Sequence, residues 1–232
     1  MKTKVSLLSA LSLLSLVATV SLGGCAGTDI VAKVANSSFK NVIDASAGRV
    51  GYSEKDSAWA LASTAGDQVL FSSDFASADG ADVTFSFDAA PFLAAGLDPA
   101  KLSLGEGIKN EVKDGRLTLR FDLGKDKFAT DAKKSLEATF AEIVRSQRKR
   151  IGYHEKLDHY GIKLGGGNMF EWAKDMATND KDTVWVLNPG PFIAAGVDPA
   201  KVAGWAFAKV ESKDANGKTQ IEDKLLKPFN LR

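Results

Sequence analysis

Apolar positions along this chain fall into short periodic stretches, and the whole series is run through twice. From Ile30 to about Ala47, Phe39, Val42 and Ile43 recur at helical spacing. From about Thr130 to Arg148, Leu136, Phe140, Ile143 and Val144 follow the i, i+4, i+7, i+8 pattern of a helix with one buried face. Each helix runs into a shared signature. Arg49-Val50-Gly51-Tyr52-Ser53-Glu54-Lys55 returns as Arg150-Ile151-Gly152-Tyr153-His154-Glu155-Lys156, identical at five of seven positions. Alternation beyond it predicts a strand, with Trp59 and Leu61 in one copy and Tyr160, Ile162 and Leu164 in the other. A glycine turn follows, Ala65-Gly66-Asp67 or Gly165-Gly166-Gly167-Asn168. Met169, Trp172, Ala173 and Met176 then predict a short amphipathic helix in the second copy, while Val69–Phe75 fits helix or strand. Val83, Phe85 and Phe87 predict the next strand. Its counterpart, Val184 and Val186 with Trp185 and Leu187 opposite, is apolar on both faces and suits a sheet interior.

The most closely repeated stretch comes next. Ala90-Pro91-Phe92-Leu93-Ala94-Ala95-Gly96-Leu97-Asp98-Pro99-Ala100-Lys101-Leu102 matches the segment from Gly190 to Val202 at nine of thirteen positions. Proline suits a helix's first turn, where a missing N–H costs nothing. Gly96 and Gly196 suit the left-handed position that ends a helix, with Leu97 packing on Phe92 and Val197 on Phe192. Asp-Pro-Ala-Lys predicts a type I turn. Every residue thus has a folding role. After it, Asp114-Gly115 predicts a hairpin in the first copy. The second copy has a longer Asp214-Ala215-Asn216-Gly217 turn and a weaker last strand, with Leu225, Leu226, Pro228 and Phe229 tucking the C-terminus against the core. A repeat of about 100 residues is domain-sized rather than solenoid-like. The predicted fold is α+β: two tandem homologous units, 30–126 and 127–232, meeting near Gly124-Lys125-Asp126-Lys127. Each is a helix plus a mainly antiparallel sheet. The short junction and aromatic-rich second copy favour packing as an internal pseudo-dimer over two separate beads.

Ahead of the repeats, Lys2 and Lys4 precede an apolar run from Val5 to Leu22 that ends in Leu22-Gly23-Gly24-Cys25. A charged start, an apolar middle and small residues before a cut mark a secretory signal peptide. A cysteine directly after those small residues resembles a bacterial lipobox, the signal of membrane lipoproteins. The resemblance implies that residues 1–24 are removed and that Cys25 carries palmitate-type lipid as the first residue of the processed chain. Residues 25–29 would form a short tether, holding the protein at the cell envelope on the periplasm side. Ala26 stands where aspartate would signal inner-membrane retention, which favours the outer membrane if the cell has one. Cys25 is the only cysteine, so an intrachain disulfide, a thiol nucleophile in the folded part and a cysteine metal site are excluded. Removal of the leader leaves 208 of the 232 residues, enough for an ordinary core. It also takes Lys+Arg from 30 to 28 against 29 acidic residues, a net charge of −1. Such balance argues against nucleic acid as a partner.

Candidate chemistry is sparse. His154 and His159, the only histidines, lie among Glu155, Asp158 and Tyr160, a composition that suits a metal or acid–base site. On one continuous strand they would face opposite sides, which makes them solvated surface histidines instead. Met169 and Met176 would extend them to a soft copper set, but both have a place on the expected helix face. The glycine run before Asn168 lacks either phosphate-loop pattern and reads as a flexible turn capped by Asn168. Arg145, Arg148, Lys149 and Arg150 form one basic cluster, placed where cations meet the end of a helix dipole, with acidic headgroups or peptidoglycan a secondary reading. The repeated Arg49, Tyr52 and Glu54, with Arg150 and Tyr153, either form ion pairs within each copy or line a cleft between copies. No nucleophile elbow or paired-histidine zinc motif is present, and no cofactor is implied. The expectation is a membrane-anchored lipoprotein with a non-catalytic binding or envelope-structural role, taking a small-molecule or envelope-protein ligand. The alternative is an enzyme or metal-binding protein whose site lies in the second repeat.

Overall fold

A computed structural model describes residues 14–16, 25–46, 48–73, 81–124, 135–154, 158–175, 182–213 and 219–229. The first repeat runs α1 (Cys25–Ala45), β2 (Val50–Ser53), β3 (Ala58–Ala62), β4 (Gln68–Ser72), β5 (Val83–Asp88), α2 (Ala90–Ala94), β6 (Ile108–Lys113) and β7 (Arg116–Phe121), after a three-residue β1 (Leu14–Leu16). The second runs α3 (Leu136–Ser146), a 3-10 turn (Arg148–Arg150), β8 (Ile151–His154), β9 (His159–Gly165), β10 (Asn168–Ala173), β11 (Thr183–Leu187), α4 (Gly190–Ala194), a 3-10 turn (Pro199–Lys201), β12 (Ala206–Lys213) and β13 (Thr219–Phe229). Strand order is β2-β3-β4-β5-β7-β6 in one sheet and β8-β9-β10-β11-β13-β12 in the other, all antiparallel. The predicted pair of homologous α+β units is what the chain forms. β1 adds a short parallel strand at the free edge of β12.

The two sheets face one another across a single core. Phe71 meets Phe170 at 5.9 Å between ring centroids, and Phe87 meets Trp185 at 5.0 Å, so aromatic contacts cross from sheet to sheet. The helices α1 and α3 lie side by side, and Phe39 and Phe140 stack face to face at 3.6 Å. They are each other's counterparts, so the approximate two-fold axis passes between their rings. The same axis passes through the repeated turn. Asp98 N–H donates to Ala195 C=O at 2.8 Å, and Asp198 N–H donates to Ala95 C=O at 2.9 Å. A Cβ on Gly96 would lie 2.6 Å from the Gly196 carbonyl oxygen, and one on Gly196 would lie 2.8 Å from that of Gly96. The halves are therefore packed as an internal pseudo-dimer.

Local turn chemistry follows the sequence closely. Leu97 N–H reaches Phe92 C=O and Val197 N–H reaches Phe192 C=O, both at 2.9 Å, the bond expected of a glycine-terminated helix. Lys101 and Lys201 close the Asp-Pro turns onto Asp98 and Asp198. Elsewhere the expectations fail for identifiable reasons. The stretch 168–173 is a strand, not an amphipathic helix. Phe170 and Trp172 enter the main core, while Met169 packs in a second apolar cluster on the opposite face. With both faces buried, alternation is invisible and the methionines mimic helical spacing. Met176 and the 214–217 turn lie outside the described residues. The last strand is not weak: β13 has 11 residues and sits between β11 and β12. Pro228 fits there because pairing with β12 ends at Leu226, so that side of the strand has no neighbour among the described residues. The expected tether is helical too, since α1 begins at Cys25.

Candidate functional site

The two histidines are neither on one strand nor exposed. They are directly paired across the β8–β9 hairpin, His154 opposite His159, and their exposures are 3% and 5%. The sequence spacing misleads because a reversal lies between them. Tyr153, Tyr160 and Ile162 face the core, so the histidines and the Gly152–Gly161 pair fall on the outer face. Across from Gly161 stands Glu171 of β10, 1% exposed. A Cβ at Gly161 would lie 3.2 Å from both Glu171 Cγ and Met169 Cε, so the absent side chain is what lets the acid lie over the sheet. His159 Nδ1 stands 3.8 Å from Glu171 Oε2, beyond hydrogen-bond distance. Neither oxygen of Glu171 has a hydrogen-bond partner among the described residues.

Of the other candidates, Asp158 is occupied by Tyr153, whose hydroxyl donates to Oδ1, and by Lys174 Nζ at 3.5 Å. Glu155 lies outside the described residues. No group of three His, Cys, Asp or Glu suited to a metal ion occurs among the described residues. Glu171 was not a sequence candidate. A polar residue between Phe170 and Trp172 was the available signal, hidden by the helical reading. The first copy has Ser53, Ala58 and Leu70 where the second has His154, His159 and Glu171, so this polar row belongs to the second repeat alone.

The proposed inter-repeat cleft is divided. Tyr52 shares a 3.2 Å hydrogen bond with Ser73 and Tyr153 turns to Asp158, each within its own copy. Arg49 and Glu54 flank β2, the edge strand of the first sheet, as β8 is the edge strand of the second. Arg150 crosses. It donates to Gln147 Oε1 at 3.2 Å, to Lys163 C=O at 3.5 Å and to Leu123 C=O of the first repeat at 3.3 Å. Beside it Asp82, 4% exposed, accepts the Leu123 amide at 2.5 Å. Burial is the main cause that pushes the Asp82 carboxyl up to about 7; Asp122 adds to this, and the Leu123 amide and Arg150 oppose it. A second acid, Asp67, is 1% exposed and ion-paired to Lys227 of the other repeat. Its counterpart Asn168 accepts the Asn188 amide just as Asp67 accepts that of Asp88.

The glycine run is a turn that gathers donors rather than anions. Its carbonyls accept from Asn168 Nδ2, Asn188 Nδ2 and Lys224 Nζ at 2.9, 2.9 and 3.1 Å. Around the basic residues 145–150, with Leu123, there is a cavity of about 560 Å³. An open groove of about 230 Å³ beside it runs between α1 and α3, past Ala32, Lys33 and Val144. No family model matches the chain, and neither a curated protein nor a solved structure matches it.

Proposed function

We propose that this chain is a lipid-anchored protein of a bacterial cell envelope, with a non-catalytic binding or structural role. The observation that carries the reading is the apolar run Val5–Leu22 ending in Leu-Gly-Gly-Cys immediately ahead of a folded helix. Of the described elements, cleavage before Cys25 would remove β1 and leave both six-stranded sheets whole. Among the described residues no helix is long and apolar enough to cross a membrane, so attachment would rest on the lipid. Mass analysis of the N-terminal peptide from membrane fractions tests this. The expected result is a Cys25 terminus bearing acyl chains, and a Cys25→Ser variant that is neither cleaved nor lipidated. An unmodified Cys25 in an otherwise processed chain overturns it.

A second reading, a metal or enzyme site in the second repeat, is favoured by one observation: His154, His159 and Glu171 share one buried face. Thermal melting with Zn²⁺ or Cu²⁺ separates the two. A shift that disappears in His154→Ala favours the second reading, and a shift with an organic metabolite that survives that change favours the first.

A further inference from the structure

The basic turn and the lipid attachment point lie at the same end of the molecule. Phe39 stacks on Phe140, while Ala32, Lys33 and Asn36 line a groove with Val144, Arg145 and Arg148, so α1 and α3 run antiparallel. The C-terminal end of α3 and the 3-10 turn after it therefore sit against the first turns of α1. From Ala32 back to Cys25 is about 10 Å of helix at roughly 1.5 Å per residue. That span is about one screening length at physiological salt.

What surrounds this end is chemically apt. Lys33, Arg145, Arg148 and Lys149 are exposed, and Arg150 is half-buried beneath them. Glu142 ion-pairs with Arg145. On the same stretch of α1, Ile30 is 65% exposed and Val34 is 39% exposed, one helical turn apart. Exposed aliphatics beside lysine and arginine are the composition of a surface that enters the boundary between headgroups and acyl chains.

The second copy of the fold supplies an internal control. By the pairing of Phe39 with Phe140, the counterparts of Arg145, Arg148 and Lys149 are Asp44, Ala47 and Gly48, at the opposite end of the helix pair. The counterparts of Ile30 and Val34 are Asp131 and Ser135. In sequence Lys33 and Arg150 keep a cation in the other copy, Lys134 and Arg49. The difference therefore lies in Arg145, Arg148, Lys149, Ile30 and Val34, which have no basic or aliphatic counterpart beyond Ala47. Helix capping alone would apply equally to both copies.

We propose that the turn 145–150, with Lys33, Ile30 and Val34 of α1, is a docking surface for anionic phospholipid, whose phosphates the 145–150 cavity receives. The proposal rests on the lipid-anchored reading for its orientation, but its test does not need the lipid. The chain from Cys25 to Arg232, made with Cys25→Ser and without the leader, carries α1 to α4 and both six-stranded sheets. It is floated with vesicles of phosphatidylcholine alone or mixed with phosphatidylglycerol. Binding to the mixed vesicles alone, falling as salt rises, is the expected result. Each cation near an anionic surface contributes about fivefold to affinity, so Arg148→Gln with Lys149→Gln should weaken binding roughly 25-fold. Lys109→Gln with Lys113→Gln, on β6 of the first sheet, should leave it unchanged. Equal loss from both pairs, or equal binding to neutral vesicles, overturns the proposal. So does saturation by inorganic phosphate with no preference for vesicles, which would make the cavity a free-anion site. An unmodified Cys25 in membrane fractions would defeat the anchored reading and leave the vesicle result to stand or fall by itself.

Discussion

The inner faces of the two repeats are alike and their outer faces are not. Phe85 and Phe87 become Trp185 and Leu187, all fully buried in the shared core. On the other side of the same strands Thr84 and Ser86 become Val184 and Val186, and the latter two join Met169, Val210 and Leu226 in a second apolar cluster. The first sheet keeps a polar outer face, with Arg116, Thr118 and Arg120 on β7. The lesson is one of constraint. Inner residues must fit both their own sheet and a symmetry-related partner, whereas outer residues answer to nothing across the axis. Differences that serve a function are therefore to be sought outside the core, where His154, His159, Glu171 and the basic turn lie.

If the core is one cooperative unit, damage on the axis should be felt equally from either side. Phe39→Ala and Phe140→Ala should each cost about 4 kcal/mol in urea denaturation, as large-to-small changes of buried aromatics do. Because each ring is the other's partner, the double variant should cost clearly less than the two together. A second unfolding transition in either variant would break the comparison by showing two independent domains.

Gly96→Ala and Gly196→Ala come next, at roughly 3 kcal/mol each. Their φ angles of +105° and +96° are strained for any side chain, and the added Cβ meets a backbone carbonyl of the other copy. Backbone has little room to give. Near-equal loss from the two, read from denaturant midpoints, supports the axis. Loss from one alone would mean that the copies are not equivalent there.

Repetition, the α+β class and the helix-stop turns were legible because each rests on local chemistry: Pro at a helix start, Gly at its end, Asp-Pro after it. The role of Gly96 and Gly196 as the meeting point of the copies was not. Their identity is equally explained by positive φ, and only the fold reveals that each faces the other. The strand 168–173 was misread because burial on both faces erases alternation. His154 and His159 were misplaced because pairing across a hairpin brings together residues that a single strand would separate. Asp82 carries no local signal and Glu171 only its place between Phe170 and Trp172, since burial of a lone acid depends on what packs over it.

Asp82 sharpens the comparison through pH. Its carboxyl titrates in the fold at about 7, mainly because burial withholds water, so the folded state holds the proton more tightly than the unfolded chain. Its contribution to stability is then complete below about pH 4 and is lost as pH rises through about 7, a change of up to about 4 kcal/mol. Asp82→Asn keeps an acceptor for the Leu123 amide and removes the titration. Midpoints measured across that range should decline for the native chain and flatten for the variant, which becomes the more stable of the two at about pH 8. An unchanged slope would mean that Asp82 is already ionised beside Arg150.

The smallest effect bears most directly on the outer faces. Where the second repeat has Glu171, the first has Leu70, 7% exposed and at the same register of the sheet. Leucine therefore fits this position in this fold. A buried carboxylate without a hydrogen-bond partner costs stability, and an apolar replacement of similar size commonly recovers it. Glu171→Leu should thus raise the unfolding free energy by about 1 kcal/mol, read as a higher thermal midpoint. The reverse change, Leu70→Glu, should lower it by more, because Ala60 stands where Gly161 makes room for the acid. A gain in the first and a loss in the second would mark Glu171 as a residue held against the fold's own preference, as a binding group would be. A loss in both would make it a structural member of the sheet, and would move the search for function to the basic turn.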